Sequence, residues 1–110
     1  MALSQAQRET LIILLRSRDP SARAQGMELA RTLSNDDLRA TCVSVGNLSG
    51  IDFSPFAARG LSLWGLSLQG HTFRRSVLRG LSLAMADLTG THFAAADPVS
   101  YTHLTLPTSG

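Results

Sequence analysis

Residues 46–95 read GNLSG IDFSP FAARG LSLWG LSLQG HTFRR SVLRG LSLAM ADLTG THFAA. Nine of these ten groups of five have Leu or Phe at the centre, namely Leu48, Phe53, Leu63, Leu68, Phe73, Leu78, Leu83, Leu88 and Phe93. Only Ala58 breaks this rule, and six of the groups end in glycine. A helix repeats its buried face every 3.6 residues and a strand every two, so neither explains a period of five. The period predicts a backbone that turns a corner in every group, points one apolar side chain inward, and favours glycine near the corner.

Several of these groups resemble the units of pentapeptide-repeat proteins, which have a small residue, then Asn or Asp, then Leu or Phe, then two variable positions. The best examples are Gly46–Gly50, Leu81–Met85, Ala86–Gly90 and the partial unit Ala96–Asp97. The resemblance covers about half of the chain. It implies an α+β protein in which residues 46–97 form a right-handed quadrilateral β-helix, with four units per coil and about two and a half coils.

The first position of many units departs from the family pattern, which favours a small residue there. Large apolar residues occupy it in five units, at Ile51, Phe56, Leu61, Leu66 and Leu81. A coil of twenty residues would relieve part of this crowding, because it sets Phe56 against Ser76. The same coil sets Leu61 against Leu81 without relief, which predicts a locally widened or distorted coil.

Residues 1–43 predict a helical segment of two or three helices. Ser4 and Gln7 have the spacing of a capping box, and residues 5–16 contain neither Gly nor Pro. Asp19 followed by Pro20 indicates a second start, with an N-cap acceptor and then proline at the first helical position. These two helices are expected to form a hairpin.

A third, short helix is expected after Ser34 or Asn35, because acidic residues follow and favour the positive end of the helix dipole. The helical segment ends directly before Gly46. An end coil exposes unpaired backbone and an apolar cross-section, so we expect the helices to serve as its cap.

Composition and charge exclude several classes of function. The chain has ten Arg, no Lys and a formal charge of +2, which is too small to imply a nucleic-acid or membrane partner. No apolar stretch is long enough to span a bilayer and no signal peptide is evident, so a cytoplasmic location is expected. The single Cys42 is interpreted as a buried, inert thiol.

No catalytic, metal-ligating or cofactor-binding constellation is present, so no enzyme activity, metal, cofactor or small-molecule substrate is expected. His71 takes the inward-leaning first position of its unit and is interpreted as a satisfied interior histidine. Asp52 and Asp87 take the second position, where a side chain can bond to the turn backbone.

The candidate interaction residues are four arginines and one tryptophan. Arg59 and Arg79 lie twenty residues apart, so one coil should stack them at a spacing of about 4.8 Å. With Arg74 and Arg75 they would form a stripe for an anionic surface, such as an acidic protein or nucleic acid; the alternative is a solvated face. Trp64 is either an exposed interface anchor or a residue packed under the helices.

The favoured function is a non-enzymatic interaction or scaffold module whose partner is a protein or another anionic macromolecule. A second hypothesis is a DNA-mimicking topoisomerase-binding protein, a role known in the family. It is disfavoured because ten Arg outnumber eight carboxylates. A third is a regulatory domain of a larger enzyme.

Residues 98–110 share neither the period nor the composition of the repeats. Pro98 stands where Leu or Phe is due, and the residues from Val99 onward resemble the conceptual translation of a transposase-based sequencing adaptor. We therefore expect this tail to be non-native and the repeat region to be truncated.

Overall fold

The computed structural model describes residues 3–96. It contains four helices, which are α1 (Gln5–Arg16), α2 (Pro20–Arg31), α3 (Asn35–Ser44) and α4 (Ser54–Ala58). The first three confirm the predicted N-terminal helices. Over the same residues the chain forms isolated parallel β-bridges and no strand, so the predicted β-helix is not confirmed. The predicted adaptor-derived tail lies outside the described residues.

The starts of α1, α2 and α3 follow local capping chemistry. Ser4 Oγ accepts from the Gln7 amide at 3.1 Å, and Gln7 Oε1 accepts from the Ser4 amide at 2.8 Å, which completes the predicted capping box. Asp19 caps α2, and Pro20 is its first residue. Ser34 caps α3. These contacts satisfy amide groups that have no partner within the helix.

Helices α1 and α2 approach closely at Gly26. A Cβ atom on Gly26 would lie 3.0 Å from Leu14 Cβ and 3.1 Å from the backbone nitrogen of Leu15. Leu14 Cβ and the Leu15 nitrogen are fixed by the backbone of α1, so no side-chain rotation can move them away from an added Cβ atom. The glycine that weakens α2 as an isolated helix therefore permits its contact with α1.

Replacing Gly26 with alanine should lower the free energy of unfolding by about 1–2 kcal/mol, since overpacking outweighs the gain of about 1 kcal/mol in helix propensity. Urea unfolding of G26A beside the exposed neighbour variant Q25A measures this. Q25A should change the free energy of unfolding by less than about 0.5 kcal/mol. An increase in stability in G26A would show that α1 and α2 can move apart at little cost.

The repeat segment, residues 46–96, is held together by backbone hydrogen bonds between distant residues. The amides of Leu63 and Leu68 donate to the carbonyls of Ser82 and Asp87, each at 2.9 Å. Parallel bridges join residues 20 apart, at Ser67–Asp87 and Thr72–His92. Nearer the N-terminus they join residues 25 apart, at Asn47–Thr72 and Asp52–Val77.

Pro55 explains the five additional residues. The corner residue, two after each centre, has positive φ in most units, for example +72° at Gly50 and +92° at Gly60. The proline ring fixes φ near about −65°, so Pro55 cannot form this corner. The chain forms α4 instead, which contains both Pro55 and Ala58.

The insertion corrects the predicted register of the first units. Phe56 lies in α4, and Ser76 does not face it: Ser76 Oγ donates to the Leu48 carbonyl at 2.6 Å. The neighbouring Val77 amide donates to the Ile51 carbonyl at 2.9 Å. The added helical unit lies at residues 54–58, before Leu61, so the widening predicted where Leu61 meets Leu81 stays a prediction.

The predicted centre residues form the core. Eight of the nine are buried, at Leu48, Phe53, Leu63, Leu68, Phe73, Leu78, Leu83 and Leu88, and Phe93 is half-buried. The rings of Phe73 and Phe93 stack with centroids 5.5 Å apart, and Phe53 lies 6.0 Å from Phe73. The inward direction of the five-residue pattern is confirmed.

The N-terminal helices share this core. Leu11, Ile12, Leu15, Leu38 and Cys42 belong to the same buried cluster as the repeat centres. Helix and repeat side chains together enclose a void of only about 10 Å³, lined on the repeat side by residues including Ile51 and Phe53. The helices therefore cover the first units closely. No helix among residues 3–96 is long and apolar enough to cross a membrane.

Candidate interaction surfaces

The second-position carboxylates are used within their own turns. Asp52 Oδ1 accepts from the Ser54 amide at 2.9 Å, and Asp87 Oδ1 accepts from the Thr89 amide at 3.1 Å. Hydrogen bonds from the side chain of Gln69 and from Thr89 lower the pKa of Asp87. Both aspartates thus stabilise corners of the backbone, as the sequence predicted.

His71 is buried and joins the repeat segment to α3. Its Nε2 lies 2.9 Å from the Cys42 carbonyl and 3.1 Å from the Val43 carbonyl. Because a carbonyl oxygen only accepts, Nε2 must carry the hydrogen and donate it. Nδ1 lies 3.2 Å from the Gln69 carbonyl. His71 is therefore an interior histidine, as predicted, and its Nε2 hydrogen has carbonyl acceptors.

Cys42 is a buried free thiol. Burial raises the pKa of the thiol from its ordinary value of 9.0 to about 12, and nearby Arg39 opposes this shift in part. The thiolate is the nucleophilic form of cysteine. A side chain that stays protonated and enclosed at neutral pH fits the predicted inert role.

The Cys42 pKa predicts a loss of stability in alkali. In the unfolded chain the thiol loses its proton above about pH 9, whereas in the folded chain it keeps the proton to about pH 12. Rising pH therefore favours the unfolded state across this window, by on the order of 1 kcal/mol per pH unit. Urea unfolding between these two pH values should show the slope, and C42A should remove it. The absence of lysine leaves few other groups titrating there, and an equal slope in C42A would refute this assignment.

Arg59 does not take the place predicted for it in an arginine stripe. Its guanidinium donates to the Ala30 carbonyl at 3.1 Å and to the Leu33 carbonyl at 2.6 Å. Ala30 lies in the last turn of α2, and Leu33 lies two residues beyond the end of that helix. Arg59 therefore ties α2 to the repeat segment.

Arg39 makes the reciprocal contact from α3 to the repeats. Its guanidinium donates to the Ser62 carbonyl at 2.5 Å and to the Trp64 carbonyl at 2.8 Å. Each side of the interface between the helices and the repeats therefore contributes one arginine that donates to backbone carbonyls of the other side. No sequence pattern could indicate these contacts, because they join residues more than twenty positions apart.

Trp64 is exposed, which resolves the two alternatives left open by the sequence. Its exposed fraction is 56%, so it does not pack under the helices. Met85 is 68% exposed and lies in the adjoining part of the repeat segment, where the Gly65 amide donates to the Ala84 carbonyl at 3.0 Å. We call Trp64 and Met85, which lie on these two adjoining repeats, the apolar corner.

The remaining predicted arginines, Arg74, Arg75 and Arg79, are all exposed. Their use in binding an anionic surface stays a prediction. In residues 3–96, no group of three His, Cys, Asp or Glu side chains is placed to hold a metal ion.

Parallel bridges between residues 20 or 25 apart, a corner every five residues and an inward row of Leu and Phe define a repeat protein. Residues 59–93 match the family model described as pentapeptide repeats, in eight copies. This part of the chain is therefore a pentapeptide-repeat segment, as its sequence predicted. The matched range begins directly after α4. Among curated proteins and solved structures, no match to the chain was found.

Proposed function

We propose that this chain is a non-enzymatic, cytoplasmic interaction module that binds a partner protein through the apolar corner. The observation that carries the proposal is the joint exposure of Trp64 and Met85. Large exposed apolar side chains on a folded surface mark protein contacts when they lie together, and Trp is enriched among residues that dominate binding energy.

The scaffold in this proposal is a right-handed quadrilateral β-helix whose first coil is enlarged by α4. Its support is the parallel bridges at spacings of 20 and 25 residues and the positive φ at successive corners. Helices α1–α3 act as the cap of that coil. Amide exchange offers a check: the Leu63 and Leu68 amides, bonded to distant repeats, should exchange far more slowly than the amide of Gln69, an exposed residue directly before a corner. Equal exchange rates would contradict a β-helix.

The chemistry of the surface favours a partner with an apolar pocket and an acidic rim. Arg79 is exposed and belongs to the five-residue unit directly before the one that ends in Met85. Charged residues around an apolar anchor contribute more to orientation and association rate than to affinity. The partner's acidic groups would therefore set the docking direction, while Trp64 and Met85 supply the buried area.

A photo-cross-linking amino acid in place of Trp64 tests this surface in cells of the source organism. The matched control carries it at Gln69, which is also exposed and occupies the same position of the next unit. We expect a discrete protein adduct from position 64, absent from position 69 and lost in the double variant with Met85→Asp. Identical adducts from both positions, or adducts insensitive to Met85→Asp, would refute the apolar corner as a binding surface.

A further inference from the structure

Four arginines from different parts of the chain line one cleft between the helices and the repeat segment. Arg16 comes from the end of α1, Arg18 from the connection to α2, Arg23 from the first turns of α2, and Arg75 from a repeat corner. The cleft has a volume of about 280 Å³. Sequence patterns gave no indication of it, because only folding brings Arg75 to the helical hairpin.

The floor of the cleft is fixed by contacts that leave hydrogen-bond donors available. Arg16 Nε donates to the Ser49 carbonyl at 3.3 Å, which anchors the guanidinium and leaves its terminal nitrogens able to donate. Gly50, with φ +72°, lies beneath the end of α1: a Cβ atom there would be 4.0 Å from the Arg16 carbonyl. The repeat corner and α1 are thus held in a fixed relation.

Among the described residues, no aspartate or glutamate lines this cleft. The ion pair found in residues 3–96 joins Arg31 and Glu28, and neither of them lines the cleft. Asp19 is close in sequence, but its carboxylate caps α2 by accepting from the Ser21 amide at 3.1 Å. Four permanent positive charges around one cavity repel each other unless an anion joins them.

We propose that this cleft binds the phosphate group of a small phosphorylated ligand. Guanidinium groups present planar pairs of N–H donors that match phosphate oxygens, and several converging arginines are a recurrent phosphate-binding arrangement. The volume of about 280 Å³ lies just below the usual range for small-molecule pockets, which fits a phosphate with a small substituent. The site goes beyond the proposed function, because it shares neither Trp64 nor Met85.

Calorimetric titration of the full 110-residue chain with inorganic phosphate, O-phosphoserine and glycerol 3-phosphate tests the site. We expect saturable binding in the presence of excess chloride. Comparison of the three ligands tells whether free phosphate, a phosphorylated side chain or a glycerophosphate headgroup fits best. Binding that chloride at matched ionic strength abolishes would overturn the proposal, because it would reflect charge screening alone.

Arg75→Gly is the decisive variant. Arg75 has φ +59°, a conformation that glycine adopts at six other corners, so the variant keeps the fold and removes one guanidinium. We expect phosphate binding to weaken at least about tenfold, as for one lost charge-assisted contact. Arg23→Gln should do the same from the helical side.

Arg74→Gln is the matched control, since it removes the neighbouring charge without touching the cleft lining. It should leave the phosphate affinity within about twofold of the parent, because exposed charges outside a site contribute little. Equal weakening by Arg74→Gln and Arg75→Gly would refute a defined site. Cross-linking at position 64 in the Arg75→Gly variant separates the two proposals, because the apolar corner should still react.

Discussion

Replacing Phe73 with alanine is expected to lower the free energy of unfolding by about 3–5 kcal/mol, the largest effect of any single core truncation in this chain. Phe73 is fully buried, and its ring contacts both Phe53 and Phe93. Truncation removes the apolar surface that joins three successive layers of the core and leaves a cavity between rings that cannot collapse onto each other. For a domain of marginal stability this is a large fraction of the total.

Urea unfolding monitored by far-ultraviolet circular dichroism measures this effect, with Phe93→Ala as the comparison. Phe93 stacks on Phe73 but is only half-buried, so its truncation should cost roughly half as much. If F73A were too unstable to purify, Phe73→Leu should keep the fold at a smaller cost. Equal losses of stability in F73A and F93A would contradict the difference in burial between the two rings.

The features predictable from sequence are those set by neighbouring residues. The Ser4–Gln7 capping box needs residues three apart, and the Asp19–Pro20 start needs two adjacent ones. The inward row of Leu and Phe follows from the period itself, since each centre repeats the same backbone environment. Local rules of this kind predict most of the helix boundaries and nearly all of the core residues of the repeats.

The register of the first units was not predicted, although its cause is a single visible residue. Pro55 stands at a corner position that requires positive φ, so its unit had to depart from the pattern. The sequence shows that the five-residue pattern is interrupted at Pro55, but it does not show that a helix replaces the corner. The choice of α4 depends on Phe56, whose side chain α4 places in the core shared with α1 and α3. That choice is made by tertiary packing.

The contacts of Arg59, predicted as part of an arginine stripe, could not be read from the sequence for a related reason. A twenty-residue period places Arg59 and Arg79 together, but the interface offers Arg59 two carbonyls at the end of α2. A charge-assisted bond to backbone carbonyls at the end of α2 is worth more than solvation at an exposed corner. The five-residue period describes only the repeats. The contacts that an arginine makes also depend on the helices that pack against the repeats.

Substitution of His71 is the most informative test of the contact between the N-terminal helices and the repeat segment. Leucine fills a comparable volume with an apolar side chain. It leaves the Cys42 and Val43 carbonyls, at the end of α3, without their hydrogen-bond donor. A buried acceptor that loses its partner costs about 1–3 kcal/mol, so H71L should lower the free energy of unfolding by about 2–3 kcal/mol.

The matched control for His71 is present in the chain. His92 lies beside His71, since its amide donates to the His71 carbonyl at 2.9 Å, yet its side chain is exposed. His92→Leu should change the free energy of unfolding by less than about 0.5 kcal/mol. Hydrogen exchange adds a readout specific to the interface: in H71L the amides of α3 should lose protection while those of Leu63 and Leu68 keep it. If H71L destabilised every region equally, His71 would support the repeat core as a whole and the helices would not form a separable cap.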